Sequence, residues 1–341
     1  MNRHAVLLIN LGTPDSPSVS DVRKYLFQFL NDPRVIDIPW LLRKLLVNLI
    51  IVPFRAPKSA AIYKKLWTEK GSPLLIHGQE LQKMVSSEFS SDHKVFLAMR
   101  YGKPSIPSVM EEIRLWQPNK ITVLPLFPHY ASSSSGSAME LFFKTLSSWW
   151  VIPEVKVISQ FYYHQGYINS FIERGRQYPV DQFDHVLFSY HGLPVRQVDK
   201  VYPSDLCADH DCESTLDESN LYCYKAACYD TTRRIASGLN IPAEKYSVGF
   251  QSRLDKNWLE PFSDDLVTDL GKKGIKKLLV FSPAFVADCL ETTIEIGEEY
   301  DHLFKEAGGE YLQLVESLNT HPLWVKTVAD LVKNGPGLPP V

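Results

Sequence analysis

Three groups of side chains have the types and spacing for chemistry. Cys207, Cys212, Cys223 and Cys228 crowd one short segment as Cys-x4-Cys-x10-Cys-x4-Cys, and the fifth cysteine, Cys289, stands alone. In a reducing compartment such clustering points to a metal or iron–sulfur site rather than to two disulfides. The spacing is neither a close-paired zinc pattern nor the ferredoxin run, so four thiolates on one loop leave both metals open. His191 ends an apolar run and precedes Gly192-Leu193-Pro194. An imidazole there accepts a proton or binds a metal near neutral pH, or merely hydrogen-bonds the turn. Asp288, Glu291, Glu295 and Glu299 form a file of carboxylates. At steps of three and four they share one helix face. They offer oxygen ligands to a divalent cation, and their mutual repulsion favours proton uptake; the plain alternative is a solvated acidic face near a helix start.

The elements that must position these groups follow from hydrophobic periodicity. Short apolar runs at 5–11, 94–99, 121–126, 155–159, 185–190, 246–250, 277–281 and 311–315 predict strands. Between them, 18–30, 80–90, 106–116, 166–178, 229–238, 264–273 and 288–307 predict helices. Continuous apolar strands alternating with helices imply a parallel sheet covered on both faces.

An internal repeat doubles that plan. The run ending in Gly12-Thr13-Pro14 resembles the run ending in Gly192-Leu193-Pro194. Arg100 precedes a helix and a strand closing on Phe127-Pro128, as Arg253 precedes a helix and a strand closing on Ser282-Pro283. The expected fold is α/β: two similar doubly wound, Rossmann-like parallel-sheet lobes facing across a cleft, with the marked turns at the strands' carboxyl ends, where such sheets bind ligands. The first lobe covers 1–150 with an apolar stretch at 38–54, joined by a C-terminal helix at 321–334. The second covers 151–320 and carries the cysteine insertion at about 197–228. Counted from the shared glycine, His191 corresponds to Leu11; counted from the shared proline, Glu291 corresponds to Gly136. The polar pair is confined to the second half, so proton and metal chemistry is expected there and holding of the ligand in the first.

Composition narrows the classes. The 341 residues are 45% hydrophobic, with a formal net charge of −3. That suits a folded chain with a sizeable core and argues against a general nucleic-acid binder. No leader pattern precedes the apolar run at 5–11. No stretch reads as the roughly 20 unbroken apolar residues of a membrane span. A soluble, cytoplasmic protein is expected.

Five motifs in order resemble the ferrochelatase family: Asn10-Leu11-Gly12-Thr13-Pro14, Arg100-Tyr101, Ser189-Tyr190-His191-Gly192-Leu193-Pro194, Phe250-Gln251-Ser252-Arg253 and 285–292, Phe-Val-Ala-Asp-Cys-Leu-Glu-Thr. The resemblance runs from residue 5 to about 320. Two positions depart from it: Asn257 stands before Trp258 where the family usually has proline, and Ala284 where glycine is common. Both bear on loop shape more than on chemistry.

The resemblance implies insertion of ferrous iron into protoporphyrin IX, the last step of haem synthesis. It makes His191 and Glu291 the catalytic pair across the ring. Glu295 and Glu299 extend an acidic row for the substrate iron, on a helix with a π-type turn. Leu11, Thr13, Arg55, Arg100, Tyr101, Tyr130, Ser189 and Trp258 are implied porphyrin contacts. The 38–54 stretch matches an apolar lip at the cleft mouth, which would contact the inner face of a membrane peripherally. Some family members carry a [2Fe–2S] cluster, and one bacterial group places its cysteines internally. Cys207, Cys212, Cys223 and Cys228 are therefore expected to hold [2Fe–2S], with structural zinc as the alternative. The rival functions are iron insertion into coproporphyrin, cobalt insertion into a tetrapyrrole, and a carrier without catalysis. An apolar lip favours the less acidic protoporphyrin, and a carrier needs no proton acceptor. Nothing in the sequence specifies an oligomeric state.

Overall fold

The computed structural model of the protein describes residues 3–339. It contains two four-stranded, wholly parallel sheets. The first is built from β1 (His4–Thr13), β2 (His93–Gly102), β3 (Lys120–Pro125) and β4 (Glu154–Val157), in the order β2-β1-β3-β4. The second uses β5 (His185–His191), β6 (Tyr246–Gln251), β7 (Lys277–Phe281) and β8 (Tyr311–Leu314), in the corresponding order β6-β5-β7-β8. The repeat in the sequence is thus a repeat of topology. Ala5–Ile9 and Val186–Tyr190 are buried along their whole length. That is why both segments read as unbroken apolar runs: helices cover both faces of a parallel sheet.

The helices are α1 (Val19–Leu30), α2 (Trp40–Leu45), α3 (Val52–Leu66), α4 (Pro73–Ser86), α5 (Ile106–Trp116), α6 (Ser137–Leu146), α7 (Gln165–Gly175), α8 (Val195–Val198), α9 (Tyr224–Gly238), α10 (Ser263–Lys272), α11 (Asp301–Glu306) and α12 (Pro322–Asn334). α1 starts where Ser18 caps it, its side chain accepting from the Asp21 N–H. α4 begins earlier than the periodicity predicts, because Pro73 supplies a pre-set φ at the first turn. Gly78, which interrupts the apolar pattern, lies against Leu97, whose methyl a Cβ there would meet at 3.0 Å. α6 and the turn before it lie outside the segments that the periodicity predicts as helices; the turn is the serine-rich stretch 132–137.

Three helical segments have the wider π form: Leu46–Ile51, Ser132–Gly136 and Glu291–Tyr300. The first joins α2 to α3, so Trp40–Leu66 is one helix of 27 residues with mean hydropathy 1.4 over its most apolar window. By length and composition it is long and apolar enough to cross a membrane, which the reading of 38–54 as an interrupted stretch missed. Only 22% of that window is buried. Trp40, Leu41, Leu42, Leu45, Leu49, Ile50 and Phe54 are exposed. Arg43, one of the interrupting charges, is buried and donates to the carbonyls of Ile36 and Ile38.

The chain divides into two compact units. One comprises the chain up to Phe127, Ala131–Gln160 and Val325–Gly335, so most of α12 belongs with the first sheet. The other comprises Pro128–Tyr130, Phe161–Trp324 and the residues from Pro336 on. In the first, helices α5 and α6 pack Ile106, Val109, Met110, Ile113 and Phe142 on one sheet face. In the second, Val267 and Leu270 of α10 join Ile296, Tyr300 and Phe304 on the corresponding face.

Strand register corrects one correspondence. Asn10 pairs with Met99 and Gly12 with Tyr101, which sets Arg100 beside Leu11. In the second sheet His191 pairs with Gln251. With His191 equivalent to Leu11, the counterpart of Arg100 is Gln251. Arg253, which looks like its partner by sequence, lies beyond the end of β6.

Candidate active site

In β5, the strand at which this sheet's winding reverses, the carboxyl end is His191. The chain turns there because residue 192 is glycine. A Cβ on Gly192 would lie 2.8 Å from the Gln251 carbonyl and 3.3 Å from the Trp258 ring. Gly12 makes the same approach in the first sheet with φ +113°, where a Cβ would overlap the Tyr101 carbonyl. The Gly192 N–H donates to the Gln251 carbonyl at 2.8 Å, and the Tyr224 hydroxyl donates to the His191 carbonyl at 2.9 Å. The imidazole stands edge-on to Phe285. Its Nδ1 is buried with no hydrogen-bond partner among the described residues. Burial pulls the His191 pKa down, and the nearby Glu291 charge opposes that shift. The ring is therefore neutral at neutral pH and able to accept a proton.

Glu291 opens the long π segment, and Gln251 fixes that end by donating to the Glu291 carbonyl at 3.0 Å. Beside it the Cys289 thiol is buried, and its pKa is raised by burial and by the Glu291 charge. Glu295 behaves differently from the member of a free acidic row. It accepts from the Ser252 N–H (2.8 Å), the Ser252 hydroxyl (2.5 Å), Gln251 Nε2 (3.3 Å) and the Tyr300 hydroxyl (3.2 Å). Burial still raises its pKa, against the opposing pull of these donors. Ser252 has φ +61°, a left-handed conformation that costs about 1 kcal/mol outside glycine. Glu295 thus pins a strained turn. Glu299 is exposed. Asp288 is bound to Asn319 Nδ2 at 2.6 Å and so anchors a loop.

The other implied contacts fall into two kinds. Ser189 is fully buried and hydrogen-bonded to Gln251 and Ser263, Thr13 to Ser72, and Tyr101 to Asp32. Their polar atoms are engaged inside their own units. Arg100 reaches Asp32 at 2.5 Å and Ser137 Oγ at 2.7 Å, while its guanidinium covers the Tyr101 ring. Burial pushes the Tyr101 phenol well above its ordinary pKa. Leu11, Tyr130 and Trp258 are half-buried, with Tyr130 edge-on to Tyr222. Arg55 is exposed on α3 with no ion pair among the described residues. The motif reading left Gln251, Ser252, Asp32 and Tyr224 without roles; the first two lie inside a quoted motif, whereas Asp32 and Tyr224 carry no local signal.

Of the four clustered cysteines, three converge. Cys207, Cys212 and Cys223 are buried, with Sγ–Sγ separations of 4.0, 3.6 and 3.6 Å. Thiolates around one ion at 2.3 Å in a tetrahedron stand about 3.8 Å apart, so this set can hold a metal. Tyr202 OH lies 3.2 Å from Cys212 Sγ. Cys228 lies apart: it stands on the second turn of α9, five residues beyond the N-cap Cys223, buried against Tyr224.

Comparison with known proteins decides the family. The model of the family described as Ferrochelatase matches residues 3–335. A ferrochelatase of Legionella pneumophila (strain Lens) is 43% identical over 331 residues, covering 97% of this chain and 98% of its own. The chain belongs to the ferrochelatase family. Ferrochelatases of Coxiella burnetii (strain Dugway 5J108-111) and Pseudomonas entomophila (strain L48) are 44% and 42% identical, covering 97% and 98% of this chain and 94% and 100% of their own. As a member the chain is an enzyme, a lyase. Among solved structures, SirB from Bacillus subtilis with Fe3+ has a TM-score of 0.57 at 11% identity, covering 98% of this chain and 96% of that one. That likeness shows the fold alone, a chelatase α/β architecture.

Glu295→Gln should destabilise the protein by about 1–3 kcal/mol, because an amide replaces an acceptor among four donors. Urea unfolding measures this. Unchanged stability with lost turnover would instead make Glu295 an iron ligand.

Proposed function

We propose that this enzyme inserts ferrous iron into protoporphyrin IX, releasing the two pyrrole protons and forming protohaem. The observation that carries the reading is His191: a neutral imidazole, unpartnered at Nδ1, beside Glu291 at the end of the switch strand. A free-base porphyrin gives up two protons as the metal enters. His191 has the protonation state to take the first, and the Glu291 charge stabilises the imidazolium that results. Glu291 is also the better placed carboxylate for iron: among the described residues no hydrogen bond ties its side chain to the sheet as Glu295 is tied, and the group beside it is the Cys289 thiol. Glu299, exposed farther along the same helix, is the outward acceptor. His191→Ala should lower iron insertion by about 10²–10⁴-fold, the usual worth of a general base, with porphyrin affinity changed by no more than a few fold. Near-normal turnover of the folded variant would remove His191 from this role.

We infer that the thiol group holds a resident metal. The resemblance favours [2Fe–2S] through four cysteines, but such a cluster takes its thiolates as two pairs, one per iron. Three mutually adjacent thiols with Cys228 apart fit three corners of one tetrahedral site better, zinc first. The chemistry supplied is then structural: metal–thiolate bonds order a segment with few apolar side chains. Stoichiometric zinc without acid-labile sulfide in anaerobically purified protein is the expected result. Equal iron and sulfide would restore the cluster and draw Cys228 in.

The exposed apolar face of Trp40–Leu66 supports peripheral membrane contact in a cytoplasmic enzyme, with Arg55 and Lys58 near the face as cations for acidic headgroups. Replacing Leu42, Leu49 and Phe54 together by serine should abolish co-sedimentation with vesicles containing anionic lipid. Undiminished binding would place the contact elsewhere.

A further inference from the structure

Cys223 is the N-cap of α9 and Tyr224 its first residue. One peptide bond therefore joins a thiol of the three-cysteine group to the side chain that holds the His191 carbonyl. The Tyr224 ring is buried and packs edge-on to His129, at 5.9 Å and 75°. His129 is fixed in turn by Thr231 of the same helix at 2.9 Å. These contacts tie the place of the hydroxyl to the first turn of α9.

That turn depends on the thiols. The stretch preceding it is largely exposed: Asp205, Leu206, Ala208, Asp209, Asp211 and Glu213 all face solvent. Its buried side chains are chiefly Tyr202, the three cysteines and Asn220, whose Nδ2 lies 3.8 Å from Cys212 Sγ. A segment that buries so little apolar surface does not order itself. Bonds from a metal to Cys207, Cys212 and Cys223 would fix both ends of the loop and the helix start together.

On the other flank, the strand end is held by the sheet: His191 pairs with Gln251, and the Gly192 N–H donates to the Gln251 carbonyl. Only the sheet tether is independent of the thiol segment.

We propose that Tyr224 is a positioning residue for His191, and that a metal held by Cys207, Cys212 and Cys223 sets it in place through the first turn of α9. This rests on His191 being the proton acceptor. Tyr224 touches the histidine's main chain and not its ring, so its effect is on where the imidazole stands. Porphyrin binding should change less, because the tether holds the His191 main chain and Tyr224 is not among the implied porphyrin contacts. Turnover should change more.

The test compares Tyr224→Phe, Cys207→Ser and the double variant in the full-length protein. Four quantities are read: bound metal, porphyrin KM, kcat, and amide hydrogen exchange over residues 189–193. Tyr224→Phe should keep its metal and a KM within about twofold of the parent, yet lose kcat about tenfold, the effect of one hydrogen bond. Cys207→Ser should lose the metal, lose kcat by a similar factor, and exchange faster over 189–193. The double variant should be no worse than Cys207→Ser, since both changes break one linkage. Should Cys207→Ser fail to fold, removing the metal from the parent and from Tyr224→Phe with a chelator gives the same comparison. Independent, multiplying losses would overturn the proposal, as would parental kcat in Tyr224→Phe or loss of metal from it. His191→Ala separates the two readings. If it turns over normally, the proton-acceptor assignment falls. If it is inactive while exchange over 189–193 ignores the metal, the linkage alone falls.

Discussion

Each half of this molecule depends on one close approach: a strand end lying against the carbonyl of its neighbour, with glycine at the crossing. At Gly12 and Gly192 a single added carbon would strike backbone. In the second sheet β5 ends at His191, just before the glycine; in the first, β1 runs on through Gly12 to Thr13, with Leu11 in the place of His191. The strand alongside then offers its own side chain at the same level, Arg100 in one half and Gln251 in the other. Each reaches the helix that follows the third strand. Arg100 bonds Ser137, directly after one π turn, and Gln251 bonds Glu291, at the start of another. Strand end, neighbouring side chain and π segment form one assembly, built twice.

The two copies spend that assembly differently. In the first, the buried Asp32 carboxylate gathers Arg100, Tyr101 and Ser137. Every charge is matched internally, and the strand end carries leucine. In the second, the amide of Gln251 brings no charge, so the Glu291 carboxylate next to it is left uncompensated and acts on His191. The different neighbours explain why reactive groups concentrate in one half although the backbones correspond.

Much of this could be read from the chain, for physical reasons. Two-sided burial makes central strands apolar throughout, so these strands and their doubling were visible; the edge strands β4 and β8, little buried, showed only as shorter runs. His191 and Glu291 were singled out by the motifs that resemble the family; their positions alone left a turn-binding histidine and a solvated acidic face open. What escaped depends on contacts distant in sequence. The Arg100–Arg253 pairing followed residue identity, while register set Gln251 opposite. Glu295 looked like a rung in an acidic ladder, because nothing local tells that Ser252 and Tyr300 will converge on it. α6 was hidden behind serines that propensity assigns to loops, and the length of the Trp40–Leu66 helix behind its charges. The spacing of four cysteines could not say that only three would meet, since that depends on where α9 begins.

Two hydrogen bonds that frame residue 191, from the Tyr224 hydroxyl to its carbonyl and from the Gly192 N–H to the Gln251 carbonyl, involve no side-chain atom of residue 191 itself. Neither consults the side chain. The position is therefore a socket: its orientation is supplied from outside, and the group it carries is interchangeable. A cysteine or methionine set there would be presented in the same direction as the imidazole, facing the same carboxylate. An architecture of this kind can change the metal it prefers by exchanging one residue, without redesigning the frame that aims it.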